Sequence, residues 1–289
     1  MSRPLIALAL LAAIVFAACG GGDSDDPPVS ERTINLREGN SELVVGPNRL
    51  AFSLFDEDGS PILEGDVLLS LFFGEDLKVE QQAGFTWAIP DEFGFYVANV
   101  DFDAAGQWTG EVLLTRDGAE TLLTFTFPVS EQSAFPNVGD AAPASENPTL
   151  TDEPNIKRLS TDQEPNTAFY ETSIADAVTL GKPAVVIFAT PAFCTSRFCG
   201  PVLDNVKEIQ EDFADAVTFI HIEPFELDDQ GLQRTGEDGG PIVVAAALEW
   251  KLQTEPWVYI LDAEGVISAR IEGAASLEEL TAVIEAALG

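Results

Sequence analysis

Residues 182–202 read KPAVVIFATPAFCTSRFCGPV, and the reading of the C-terminal half turns on this stretch. Gly181-Lys182-Pro183 ends the segment before it, and Ala184 to Ala189 is an unbroken apolar run, the pattern of a short strand covered on both faces. From Gly200 to about Phe213 a helix is predicted, because Val202, Leu203, Val206, Ile209 and Phe213 fall near one face of it. Cys199 opens that helix, and Cys194 stands five residues upstream in the connecting loop. Unpaired N–H groups and the macrodipole at a helix start stabilise a thiolate, which makes Cys199 a candidate nucleophile. Pro201 suits a position whose own N–H is surplus.

Moving outward, Ser173 is placed to cap a helix over 174–180, and 217–222 (VTFIHI) reads as a second buried strand. The acidic, Gly-rich insertion 223–240 is expected to be a solvated loop bordering the site. A helix follows around 243–252, then a hairpin of 257–261 and 266–271 about the turn Asp262-Ala263-Glu264-Gly265. Ser276-x-x-Glu279 has the form of a capping box before the last helix.

Cys199-Gly200-Pro201 after the strand 184–189 resembles the active-site loop of thioredoxins, and Gln253-Thr254-Glu255-Pro256-Trp257 with its hairpin is similar to their cis-proline loop. The resemblance covers roughly 141–289 and departs at Val202, where the family has its second cysteine, and at Phe198, where it has Trp. It implies an α/β thioredoxin-like fold and thiol–disulfide exchange with protein thiols and disulfides, without a cofactor. A cis Pro256 would present the Glu255 backbone to a substrate strand. Val202 cannot resolve a mixed disulfide, so that role passes to Cys194, whose loop lets the two Cα atoms approach within the roughly 4.4–6.8 Å of a disulfide.

Three other readings stand beside this one. Thr190-Pro191-x-x-Cys194 with Cys199 also resembles Q-type peroxiredoxins, with Cys194 peroxidatic, although the family's threonine, proline and late arginine are misplaced or missing. A non-catalytic binding protein with a permanent Cys194–Cys199 staple is another, but so short a loop contributes less than the ~3 kcal/mol of a 15-residue one. Copper handling by the two thiols and His221 is the third; a lone histidine inside VTFIHI is more often a core residue, and no metal site is assigned.

The N-terminal half has a different texture. From 33 to 129, apolar or alternating runs at 50–54, 67–73, 95–102, 108–115 and 121–127 are separated by Gly, Pro, Asn and Asp clusters, as in an all-β sandwich. Glu92-x-Gly94-x-Tyr96 resembles the tyrosine corner of immunoglobulin-like folds. Residues 131–165, rich in Pro, Asn, Ser and acidic side chains, read as a linker and lead-in segment. The expected domains are therefore a sandwich over 32–130, serving as a spacer or protein-binding element, and a thioredoxin-like domain over 166–289.

Residues 1–18 have the layout of a secretory signal, and Phe16-Ala17-Ala18-Cys19 resembles a bacterial lipobox. That resemblance implies lipid on Cys19, a flexible tether over 19–31 and an extracytoplasmic, membrane-anchored protein. Of three cysteines, Cys194 and Cys199 then remain, in a compartment where neighbouring thiols tend to pair. The formal charge of −35 excludes nucleic acid as a partner and disfavours anionic lipid headgroups.

Overall fold

The structure, a computed structural model, describes residues 33–289; the signal segment, the tether and Cys19 lie outside the described residues. Its elements are mostly β-sheet with few helices. Eight antiparallel strands come first: β1 (Asn35–Glu38), β2 (Gly46–Phe55), β3 (Asp66–Phe73), β4 (Asp76–Gln82), β5 (Gly84–Ile89), β6 (Phe93–Phe102), β7 (Gly106–Arg116) and β8 (Ala119–Val129). They form two sheets, β1-β2-β6-β5 and β4-β3-β7-β8, which pack face to face. Alternation builds that core: Trp108, Val112 and Leu114 of β7 point in with Val67, Leu69 and Leu71 of β3. Strands β1, β4 and β5 are not among the apolar runs read from sequence; β4 (DLKVEQQ) is a sheet edge with mostly exposed side chains.

The tyrosine corner does not form. Tyr96 lies within β6 with its ring stacked on Phe52 at 5.9 Å, and its buried hydroxyl has no hydrogen-bond partner among the described residues. β2 is buried on both faces from Leu50 to Phe55, which an outer strand of a two-layer sandwich is not. Leu50, Phe52 and Leu54 face the sandwich core, while Ala51, with Ala88 and Phe95 of the same sheet, packs against Ala274 of the C-terminal half.

The second half is built on β9 (Ala184–Phe188), β10 (Thr218–Ile222), β11 (Trp257–Leu261) and β12 (Ile267–Glu272), in the order β10-β9-β11-β12. β9 and β10 are parallel, and the other pairings are antiparallel. Helices α1 (Ile174–Ala177) and α3 (Ala245–Glu249) cover one face, and α2 (Cys199–Phe213) and α4 (Leu277–Leu288) the other. Val185 and Ile187 of β9 meet the α2 and α4 side chains, while Ala184, Val186 and Phe188 meet α1 and α3. This two-sided cover is the reason the strand carries no polar residue. α1 and α3 are shorter than predicted, although Ser173 caps α1 through the Asp176 N–H as expected.

Two segments read as loops are pinned instead. In 131–165, Phe135 packs on Trp257 at 5.2 Å, and Gly139, Asp140 and Ala142 bond with Gly265 and Ile267 along the free edge of β12. The insertion 223–240 is tied back by the bridges Phe225↔Val243, Leu227↔Gln233 and Thr235↔Pro241. Pro and Gly mark where regular structure stops, not where packing stops.

Candidate functional site

Cys194 and Cys199 are joined by a disulfide, with their Cα atoms 6.0 Å apart. Cys199 is the first residue of α2 and is wholly buried in the core shared with Val202. Cys194 is only partly buried. Of the two, Cys194 is the more exposed residue, and Cys199 lies behind it in the core. The helix start serves Cys194 as well, since the Cys199 backbone N–H donates to Cys194 Sγ at 3.3 Å. The Ser196 hydroxyl lies 3.2 Å from the same sulfur. The Cys199 N–H is placed to hold a thiolate on Cys194, and Ser196, which touches that sulfur, is a site residue that the sequence reading passed over.

The peptide bond between Glu255 and Pro256 is cis, and Pro256 is buried. The Glu255 carbonyl accepts from the Ser196 hydroxyl at 3.2 Å. All four candidate residues are thus brought to one place. The Glu255 carbonyl is already engaged by the loop between the cysteines. The Glu255 carboxyl is half-buried, is pushed above the usual carboxylate range by that burial, and has no salt bridge among the described residues.

The sandwich takes part directly. Phe198, one residue before Cys199, stacks on Phe93 at 5.5 Å and meets the edge of Phe95 at 5.5 Å. Arg197, in left-handed conformation at φ 69°, extends into solvent and pairs with Glu92 at 3.2 Å. Its guanidinium is directed to the sandwich, so the loop cation is not what stabilises a thiolate here. The signal for these contacts was present in the apolar Leu50–Phe55 run and in Phe93-Gly94-Phe95, whose spacing puts both aromatics on one face of a strand.

Two buried titratable groups lie beyond the disulfide. His221 is neutral: its Nε2–H donates to the Ala189 carbonyl at 2.9 Å, and Nδ1 accepts from the Tyr170 hydroxyl at 2.6 Å. Burial pushes its pKa down to about 4. With both nitrogens engaged it is not a free ligand, which removes the basis of the copper reading; among the described residues no group of three His, Cys, Asp or Glu is placed to hold a metal. Glu223, which follows β10, is the opposite case. Its Oε2 accepts from the Thr161 N–H at 3.1 Å and from the Thr161 hydroxyl at 2.8 Å. The Thr190 hydroxyl is buried close to the same carboxyl, and burial pushes that carboxyl up to about 7. Thr161 Oγ1 also accepts from the Ala192 N–H at 3.1 Å, which links Glu223 to the loop that carries Cys194. Sequence reading assigned this glutamate to a solvated loop.

No family model matches the sequence, and no curated protein matches it. Among solved structures, a thiol:disulfide interchange protein of the thioredoxin family from Chlorobium tepidum TLS is similar, at 18% identity, 50% of this chain, 99% of that chain and a TM-score of 0.30. The PKD domain of human SorCS2 is similar at 11% identity, over 43% of this chain and 99% of that one, with a TM-score of 0.22. The Lin-41 filamin domain is similar at 14% identity, over 36% and 95%, with a TM-score of 0.22.

Proposed function

We propose that the chain is a thiol–disulfide oxidoreductase with an N-terminal immunoglobulin-like domain and a C-terminal thioredoxin-like domain, held outside the cytoplasm by lipid on Cys19. The observation that carries the redox reading is the Cys194–Cys199 bond at the start of α2, with Cys194 partly exposed and Cys199 buried. This exposure favours an order of attack opposite to the one the family resemblance implies. In the reducing direction, the Cys194 thiolate attacks a substrate disulfide, forms a mixed disulfide and expels one substrate thiolate. Cys199, after losing its proton, attacks Cys194 Sγ, forms the internal disulfide and releases the second substrate thiolate. The substrate gains two electrons and the cysteine pair loses two; the reverse sequence oxidises a dithiol.

Trapping distinguishes the roles. Cys199→Ser is expected to accumulate a mixed disulfide on Cys194 when mixed with a cysteine-containing peptide disulfide, detected as a mass adduct, while Cys194→Ser accumulates at least tenfold less. The opposite pattern restores Cys199 as the attacking sulfur. A Cys194–Cys199 bond in the unmodified protein that survives glutathione-level reducing buffer makes it a staple and sinks the enzymatic reading.

A further inference from the structure

We infer that the cleft between the β1-β2-β6-β5 sheet and the 195–198 loop binds an extended polypeptide whose reactive cysteine is flanked by basic side chains. The inference rests on the redox reading above and names the substrate of that site. The cleft measures about 760 Å³ and is lined from both halves of the chain, by Phe55, Phe93 and Phe95 of the sandwich and by Thr195, Phe198 and Glu255 around the disulfide. That volume falls in the range, roughly 300–1,000 Å³, of ligand-binding clefts. Its wall begins at Thr195, one residue from Cys194, so a segment lying in it runs beside the loop that joins the two cysteines.

The charges in the cleft are unbalanced in one direction. Its two cations are already engaged: Arg197 pairs with Glu92 at 3.2 Å, and Arg37 lies 4.5 Å over the ring of Phe55. Glu38, Glu255 and Glu272 line the same cleft and, among the described residues, form no salt bridge. Glu272 accepts only neutral donors, the Ser41 N–H at 2.8 Å and the Thr254 hydroxyl at 2.8 Å. Partial desolvation holds the half-buried Glu255 carboxyl above its usual range, and no cation offsets it. A lysine or arginine on either side of a substrate cysteine supplies one, and its aliphatic stem lies along the phenylalanine floor. An acidic peptide meets unscreened like charge in the same place.

The test uses the reduced full chain and two peptides of equal length, Lys-flanked and Glu-flanked, each carrying its cysteine as a mixed disulfide with thionitrobenzoate. Release of thionitrobenzoate reports the attack. The Lys-flanked peptide is expected to react about tenfold faster, and the ratio to fall to about twofold in Glu38→Gln/Glu255→Gln. Because the whole chain is acidic, a second variant, Glu120→Gln/Glu285→Gln, removes the same charge from exposed positions far from the cleft and is expected to keep the tenfold ratio. A ratio that falls equally in both variants, or that is near one in the unmodified chain, overturns the inference. If dithiothreitol cannot open the disulfide, the redox reading fails instead. The cleft is then decided by anisotropy binding of the Lys-flanked peptide with Ser for Cys, where equal affinity in both variants overturns it.

Discussion

Glu223 is the residue whose behaviour is furthest from its sequence context. Within EPFELDDQG it reads as one more surface acid, yet Ile222 and Pro224 beside it are buried and its carboxyl is held by Thr161. A folded-state pKa raised to about 7, against 4.5 for the free side chain, means that the native chain binds the proton more tightly than the unfolded one. Stability from this group is therefore complete below about pH 4.5 and is lost as pH rises through about 7, on the order of 3 kcal/mol in all. His221 has the opposite sign: its depressed pKa makes stability fall as pH drops from 6.5 towards about 4. The readout is accordingly the difference between chains. Urea denaturation should find Glu223→Gln more stable than the unmodified protein at pH 8, by about 2 kcal/mol, with the gap closing by pH 4.5. An equal gap at both pH values would mean that the carboxyl is not protonated in the fold.

At the scale of elements, the strand–loop–helix unit of 184–213 was legible because its two signals agree: an apolar run for a two-sided strand, then a 3.6-residue periodicity. The conformation of the loop was not legible, because Thr195-Ser196-Arg197-Phe198 is ordered by partners distant in sequence, Glu255 on one side and Phe93 with Phe95 on the other. Nothing local predicts Phe198 stacking on a strand more than 100 residues upstream. The clamp has a redox consequence. Holding the loop closed keeps the two sulfurs at high effective concentration and favours the disulfide over the dithiol. Phe198→Ala leaves α2 intact but frees the loop, so the reduction potential of the pair is expected to rise by about 30 mV, equivalent to about 1.4 kcal/mol. Equilibration against glutathione measures it. A potential unchanged within 10 mV, at unchanged secondary structure, would show that the aromatic contact only buries surface.

For the whole molecule, the decisive question is whether the sandwich is a spacer, as its lack of chemical motifs suggests, or part of the working site. Two ion pairs argue for the second. Arg270 donates to Glu42 at 3.0 Å with both side chains nearly buried, and also holds Ser133 and the Pro136 carbonyl. Arg49 of β2 engages both oxygens of Glu279 and donates to the Ala274 carbonyl at 3.0 Å. Glu279 is the residue that the sequence assigns to a capping box. The structure uses half of that motif: the Glu279 N–H donates to Ser276 Oγ at 3.1 Å, while the carboxylate turns away to the sandwich. The two roles predict different outcomes for one substitution. A capping box accepts Glu or Gln alike, so Glu279→Gln would be neutral. As the partner of an arginine side chain only 10% exposed, the same change leaves a guanidinium without its counter-charge. It should cost about 2 kcal/mol, discounted from the 3–5 of a fully buried pair because Glu279 is 22% exposed. The loss should appear as loosened docking, with faster proteolysis in 131–165 and calorimetric unfolding that separates into two transitions. Arg49→Met in the same chain should restore part of the stability by removing the stranded charge. Neutral behaviour of Glu279→Gln would return the sandwich to a spacer, and with it would go the reason for that half of the chain to face the disulfide at all.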